Sequence, residues 1–348
     1  MLQAPRTPRS LRSFHLLKIA LLYLMKLLTP YLCLLSAALA LGVPCVGAQN
    51  GSAHEGPSPA PERVTNPAPP EPEDLNSLSL NGHPLPALPP LPMETGKLPD
   101  FTREMIRVQW RDDDPIYLFV VTPKGIKKPP VVIYLYSYPS EINLFLDEAF
   151  CKLQIKNGFA AVGFLSALTG HRYHSRPMRE WFVSELKESL VKSVHDVSMI
   201  MDYIGTRSDL DSSHVGMFGE GSGGTIAILA ASVEPRLKAI DVLDPWGDWP
   251  NWFATSTRVP DGERFFYVQP EFLKRVAPLD PVSKLPSLIL PIRYQYLTKA
   301  ALTPQVARDH MQAALPKQAV FIPQDKGLAA YTATRGADFF DWIKDRLR

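Results

Sequence analysis

The fold is decided by the stretch Val215-Gly-Met-Phe-Gly-Glu-Gly-Ser-Gly-Gly-Thr225. Its beginning is apolar, and it leads into a second apolar run, Thr225–Ala231. Four of the six residues from Gly219 to Gly224 are glycine, and glycine lets a strand reverse tightly into a helix because it has no Cβ. The stretch therefore predicts a strand, a sharp turn and a helix whose first amides point toward the turn.

On both sides of this unit, short apolar runs alternate with amphipathic stretches. Strands are predicted at Met105–Trp110, Ile116–Val121, Val131–Tyr136, Ala160–Phe164, Val215–Phe218, Ile240–Leu243, Ile289–Tyr294 and Ala319–Ile322. Helices are predicted at Glu185–Tyr203, Thr225–Ala231, Pro304–Ala314 and Ala337–Leu347. Such alternation implies an α/β fold with a mostly parallel eight-stranded sheet and helices on both faces, and the first two strands are expected to be antiparallel.

The N-terminal 48 residues have the pattern of an export signal. Basic residues precede a long apolar run that carries no charge from Leu27 to Ala48 and closes on Val46-Gly47-Ala48. A small-x-small end favours cleavage after Ala48, and so a secreted or periplasmic protein. The run is also long enough to remain as a membrane anchor, which is the alternative.

Residues 49–102 are predicted to be a disordered linker. Gln49–Asp100 contains 13 prolines, and proline removes backbone hydrogen-bond donors while the segment has little apolar surface to bury. The folded domain is therefore expected at 103–348. Of the cysteines Cys33, Cys45 and Cys151, only the last lies in that domain, so the mature chain cannot form an internal disulfide.

Composition excludes some classes of partner. The formal net charge is only +2, which does not support nucleic-acid binding. A membrane is an expected partner only if the N-terminal segment stays uncleaved. No cofactor is predicted, and no metal site either, because His171 and His174 have no further ligands near them in the sequence.

The glycine-rich turn resembles the nucleophile elbow of α/β-hydrolases, in which a G-x-S-x-G turn raises a serine above the sheet. Ser189–Tyr203, Arg207–His214 and Ala277–Pro281 are similar to stretches of dienelactone-hydrolase and prolyl-oligopeptidase relatives. The resemblance covers 103–348. It implies the α/β-hydrolase fold and, for an active member, a serine hydrolase of ester or amide bonds.

The position of the nucleophile follows from its neighbours. Relatives commonly read Phe-Gly-His-Ser-x-Gly-Gly at the elbow. Both flanks, Phe218-Gly219 and Gly223-Gly224, place the nucleophile position at Gly221. Ser222 is then one residue late, in the first helical turn. The alternative is a one-residue slip that makes Ser222 the nucleophile.

The resemblance also implies an acid after the seventh core strand and a histidine after the eighth. These positions are Ala300 in Leu297–Pro304 and Gly327 in Ile322-Pro-Gln-Asp-Lys-Gly327. A serine hydroxyl needs a nearby base, so these losses favour a pseudo-hydrolase. The fallback candidates for a rewired active site are Ser222, Asp244 and Glu220.

Two loops after predicted strands, Gly170–Trp181 and Asp244–Trp252, combine basic and aromatic residues at the sheet edge where α/β folds bind ligands. A pocket there would bind a small molecule or a protein of unknown identity; alternatively, the tryptophans pack as a lid. With the residues after the third core strand, where relatives read His-Gly, the ligand-binding candidates are Tyr136, Ser137, His171, Arg172, His174, Arg176, Trp246, Trp249 and Trp252.

Overall fold

The computed structural model describes residues 72–112, 114–137, 143–168, 178–299, 301–324 and 342–347. The predicted signal segment and the first part of the predicted linker lie outside these residues. Among the residues that are described, no helix is long and apolar enough to cross a membrane.

One twisted sheet forms the centre of the domain. Its strands are β1 (Leu88–Lys97), β2 (Phe101–Gln109), β3 (Ile116–Pro123), β4 (Pro130–Leu135), β5 (Ala160–Gly163), β6 (Asp211–Glu220), β7 (Leu237–Leu243), β8 (Ile292–Leu297) and β9 (Val320–Gln324). They lie in the order β1-β2-β3-β5-β4-β6-β7-β8-β9. The strands β1, β2, β3 and β5 pair antiparallel, and every pairing from β5 through β4 to β9 is parallel.

Helices connect the parallel strands. They are α1 (Glu148–Lys156), α2 (Met178–Thr206), α3 (Ser222–Ala231), α4 (Trp249–Thr255), α5 (Arg264–Tyr267), α6 (Pro270–Val276), α7 (Pro281–Lys284) and α8 (Gln305–Ala313). Short 3-10 turns lie at Asn143–Leu146, Asp261–Glu263, Ala277–Leu279 and Leu285–Ser287. The predicted helix Ala337–Leu347 lies largely outside the described residues.

The core confirms that helices cover both faces of the sheet. Side chains alternate between the two faces along a strand. On β4, Val131 and Ile133 join one apolar cluster, which includes residues of α2 and α3. Val132 and Tyr134 join another cluster, which includes residues of α1. Each face of β4 is therefore buried, as a parallel sheet requires.

The sheet has nine strands rather than the eight predicted. The additional strand is β1, which lies within the stretch assigned to the linker. The lower bound of the domain is also wrong, since Phe101 begins β2 and is completely buried. Apolar residues between the prolines explain the difference: Leu85 is buried in the core, so this segment has apolar surface to bury after all.

Strand β8 begins three residues later than predicted. Ile289 was assigned to this strand, but its side chain is 92% exposed. Pro291 immediately precedes the strand, and the ladder with β7 starts at Ile292. Because proline has no amide hydrogen, it suits the position before a strand better than a position inside one.

Candidate active site

The turn between β6 and α3 has the geometry of an elbow. Strand β6 ends at Glu220, helix α3 starts at Ser222, and Gly221 lies between them with φ +52°. Non-glycine residues rarely adopt this backbone conformation. The amide of Gly221 donates to the carbonyl of Leu243 at the end of β7, 2.9 Å away, so the turn is fixed to the neighbouring strand.

Close backbone contacts explain the glycines around the turn. A Cβ on Gly219 would lie 2.6 Å from the carbonyl carbon of Gly223, and one on Gly223 would lie 2.7 Å from the carbonyl carbon of Leu135. Real Cβ atoms do not approach other atoms so closely, and backbone atoms cannot move away as a flexible side chain can. These glycines let α3 pack directly against β4 and β6.

The space above Gly221 is filled by Ser137. A Cβ on Gly221 would lie 2.8 Å from the Cβ of Ser137, closer still to its hydroxyl oxygen, and 3.2 Å from Cδ1 of Leu302. Ser137 follows β4 and is only 2% exposed. A serine at position 221 would therefore need both a rare backbone conformation and the displacement of Ser137.

Ser222 is the first residue of α3 and is fully buried. Its amide donates to the hydroxyl oxygen of Ser137 over 3.4 Å, a long hydrogen bond. An amide at this place is the one that would face a developing oxyanion in an active elbow. Here it faces a side chain of the same protein.

Glu220, the last residue of β6, is a partly buried acid next to the turn. Burial raises the pKa of its carboxyl group, the charge of Arg258 lowers that pKa, and the charge of Asp244 raises it; the net result is a pKa of about 7. A carboxyl group with a pKa near neutrality is able to exchange a proton at physiological pH.

Asp244, the fallback acid, is fully buried after β7 and has φ +49°. Its carboxylate accepts hydrogen bonds from the amides of Leu302 and Leu297, the latter over 3.4 Å. Burial raises the pKa of this carboxyl group to about 6, although the donated amide hydrogens lower it. Asp244 thus holds the backbone at Leu297 and at Leu302.

Three described histidines form side-chain contacts with carboxylates other than those of Glu220 and Asp244. His310 on α8 lies 2.6 Å from a carboxylate oxygen of Asp248. His195 contacts Glu73, and His214 contacts Asp211. His171 and His174 lie outside the described residues. Within the described part of the chain, no group of three or more His, Cys, Asp and Glu side chains is placed to hold a metal ion.

The tryptophans of the loop after β7 are core residues and do not present a surface to a ligand. Trp246, Trp249 and Trp252 are at most 1% exposed and belong to the larger apolar cluster. The rings of Trp246 and Trp252 lie 4.5 Å apart between centroids. The three tryptophans were predicted to line a pocket, but the structure places them in the core. Indole rings are stabilised by burial against other apolar groups.

Other predicted residues fall into two groups. Tyr136 is half-buried, packs against the smaller apolar cluster and contacts the ring of Phe218. The remaining candidates lie outside the described residues: Ala300, Gly327, His171, Arg172, His174 and Arg176.

Sequence reasoning did not anticipate the contact between Ser137 and Gly221. The available signal was the serine that follows Tyr136, where relatives have a glycine. Ser137 and Gly221 are 84 residues apart in the chain, and the parallel pairing of β4 with β6 brings them together.

Sheet order, elbow geometry and helices on both faces together define the class: the chain has the α/β-hydrolase fold. The acetyl xylan esterase from Paenibacillus sp. R4 is a structural neighbour with a TM-score of 0.62 and 15% identity, and the match covers 78% of this chain and 92% of that one. Acetyl xylan esterase 1 from Thermoanaerobacterium sp. JW/SL YS485 has a TM-score of 0.55 and 12% identity, covering 72% and 87% of the two chains.

A third neighbour is the acylaminoacyl peptidase of Pyrococcus horikoshii, with a TM-score of 0.56 and 15% identity. The match covers 72% of this chain but only 42% of the peptidase. No family model matches the chain, and no curated protein matches it in sequence. The likeness is therefore one of fold.

Proposed function

We propose that this chain is a catalytically inactive member of the α/β-hydrolase fold, which acts outside the cytoplasm by binding a small molecule or a protein. The observation that carries the proposal is the occupied space at the elbow. Gly221 offers no attacking group, and the volume that a side chain would need there is taken by Ser137.

The residues around the elbow support the same proposal. Ser222 is fully buried in the first turn of α3, and the carboxylate of Asp244 is engaged by backbone amides of Leu297 and Leu302. The sequence has no histidine after His310, whose imidazole contacts Asp248. A serine nucleophile is activated by an adjacent general base, and the resemblance places that base at Gly327, which has no titratable side chain.

One observation favours a second candidate, an active serine hydrolase with a rewired site that uses Ser222. Glu220 lies two residues from Ser222, and the pKa of its carboxyl group is raised to about 7. A carboxylate with such a pKa has the proton affinity of a general base.

A fluorophosphonate probe separates the two candidates. We expect no covalent labelling of the purified protein, and the same blank result for Ser222→Ala. Labelling of the wild type that disappears in Ser222→Ala would establish the active hydrolase. A catalytically competent serine esterase, treated in parallel, checks that the probe is reactive.

Binding is tested by thermal shift with the chemical classes that the neighbours' names contain, acetylated xylan fragments and acylaminoacyl peptides. A rise in melting temperature without product formation would support a binding role. Turnover of either probe would contradict it.

The export part of the proposal predicts that the mature chain begins at Gln49. Mass spectrometry of the exported protein measures its N-terminus. An intact N-terminus would instead favour a membrane anchor.

A further inference from the structure

The parallel strands begin at the edge of the sheet opposite the elbow, named the basal edge here. Strands β4, β6, β7 and β8 are neighbours in that order and run parallel, so the loops before them share this edge, whereas the elbow follows the end of β6. Two of these loops, residues 124–128 before β4 and 286–291 before β8, are named the basal loops. They are three strand spacings apart, which is about 14 Å.

Each basal loop exposes an isoleucine. The side chain of Ile126 is 42% exposed, and that of Ile289 is 92% exposed. Ile289 lies between Leu288, which is buried, and Leu290, which is half-buried, so its own exposure is particular to that position. Transfer of an isoleucine side chain from water to an apolar phase is favourable, and here two such side chains point out at one edge of the domain.

Exposed lysines accompany both isoleucines. Lys156 lines the same shallow cavity as Ile126, and Lys238 lines the same cavity as Ile289. Three further lysines lie in the first basal loop itself. The five exposed lysines of the basal edge are Lys124, Lys127, Lys128, Lys156 and Lys238.

The acids at this edge do not cancel the positive charge. The carboxylates of Asp209 and Glu234 pair with arginines, at 2.8 Å and 2.7 Å. Asp100 and Asp211 have no arginine partner among the described residues, and they offset at most two of the five lysine charges. In the described part of the chain none of these five lysines takes part in a salt bridge, in contrast to Lys152, which pairs with Glu148. The basal edge therefore carries excess positive charge around two exposed isoleucines.

We infer that the basal edge is a docking surface for an anionic phospholipid bilayer. Its lysines contact the headgroups, and Ile126 and Ile289 enter the boundary between headgroups and acyl chains. An anionic membrane attracts lysines close to its surface, and it buries apolar side chains that reach below the headgroups. A nucleic acid would bind the lysines through its phosphates but leave the isoleucines in water. The combination of the two residue types favours the bilayer.

Docking through the basal edge turns the elbow away from the membrane, because the elbow lies at the opposite edge of the sheet. It requires no uncleaved N-terminal anchor, since the contact is made by the folded domain. It is also independent of the proposed function, because the basal loops and the elbow share no residue.

Rapid-quench hydrogen exchange of the full chain on vesicles locates the contact. We expect the protection factors of amides in the basal loops to rise at least tenfold on vesicles of phosphatidylglycerol and phosphatidylcholine in equal parts. They should stay unchanged on pure phosphatidylcholine, even where the N-terminal segment holds the chain on both kinds of vesicle. The amides of α4, which follows the other end of β7, should not change on either. Equal protection of the basal loops on both kinds of vesicle, or no protection on either, would overturn the inference.

Matched substitutions of exposed side chains test the two residue types. Lys127→Gln and Ile289→Ser should each reduce the rise in protection about fivefold. Lys299→Gln removes the same charge beyond the other end of β8, and Leu88→Ser removes an exposed leucine where β1 pairs with the end of β2. Both of these control variants should keep the full rise. Control variants that lose as much as the test variants would contradict docking at the basal edge.

Heparin, a soluble polyanion, separates a lipid surface from other anionic partners. We expect it to protect the basal loops far less than the mixed vesicles do, because it offers the isoleucines no apolar phase. If heparin protects them as strongly as the vesicles, and Ile289→Ser changes neither result, the edge binds polyanions and the inference fails.

Discussion

Two carboxyl groups beside the elbow, those of Glu220 and Asp244, can be compared with that of Glu73 in the segment before β1. All three are largely removed from water, yet their pKa values are shifted in opposite directions. Burial raises the pKa of Glu220 to about 7 and that of Asp244 to about 6. For Glu73, hydrogen bonds from Arg111 and His195 outweigh the same burial effect and lower the pKa to about 2.

The difference lies in the partners. Among the described residues, no salt bridge reaches either carboxylate beside the elbow, whereas Glu73 contacts the guanidinium of Arg111 and the imidazole of His195. In a Ser-His-Asp triad, a histidine lies next to the nucleophile and becomes cationic when it takes the proton of the serine. In this chain the arginine and histidine partners belong to Glu73, which lies before β1.

Among these substitutions, we expect the largest loss of unfolding free energy from replacing Arg111. Arg111→Met leaves the buried carboxylates of Glu73 and Asp196 without their main partner, which costs about 3–5 kcal/mol of unfolding free energy. Urea denaturation measures the loss. Lys152→Ala breaks the exposed pair with Glu148 and should leave the urea midpoint unchanged. A loss of similar size in both variants would mean that burial adds nothing to the stabilisation by Arg111 and its carboxylate partners.

At the elbow, Gly221→Ser should destabilise the fold by about 2–4 kcal/mol, from the rare backbone conformation and the clash with Ser137. Combining it with Ser137→Gly should recover about 1–2 kcal/mol, because the clash is relieved and the backbone strain remains. Thermal or urea unfolding of the two single variants and the double variant measures this coupling. Strict additivity would show that Ser137 does not fill the space.

Glu220→Gln replaces the titratable carboxyl group beside the elbow with an amide that does not titrate. Its pKa is raised from 4.5 to about 7 in the folded state, so the folded protein holds this proton more tightly than the unfolded chain. The resulting stabilisation is fully present below pH 4.5 and is lost as the pH rises through 7. The variant should therefore match the wild type near pH 4.5 and exceed it by roughly 2–3 kcal/mol at pH 8. Asp261→Asn, at a fully exposed acid, should show no such divergence in urea titrations at the two pH values. Parallel curves for Glu220→Gln and wild type would disprove the shifted pKa.

Sequence patterns predicted the parallel part of the fold well, because buried strands and amphipathic helices have distinct periodicities. All eight predicted strands exist, although Ile289 was wrongly assigned to β8. Strand β1 was missed since three prolines mask its pairing with β2, which continues at Leu91 and Pro92 after an irregular step. Proline is tolerated on such an edge strand because one side of its backbone has no partner.

The candidate site was predictable only at its apex. The glycine pattern identified the turn and Gly221, because local backbone conformation depends mainly on adjacent residues. The burial of Trp246, Trp249 and Trp252 was not predictable, because position after a strand is the same for a pocket wall and for a core residue. The partners of His195 come from segments up to 122 residues away in the chain.

The sequence by itself determined the order of strands and helices, the sharp turn at Gly221 and the absence of a side chain there. These properties depend on neighbouring residues. Tertiary structure alone decided that Ser137 fills the space above Gly221, that the tryptophans are buried and that a proline-rich segment docks through Glu73. Each of these depends on which distant atoms share a small volume, and packing in three dimensions sets that.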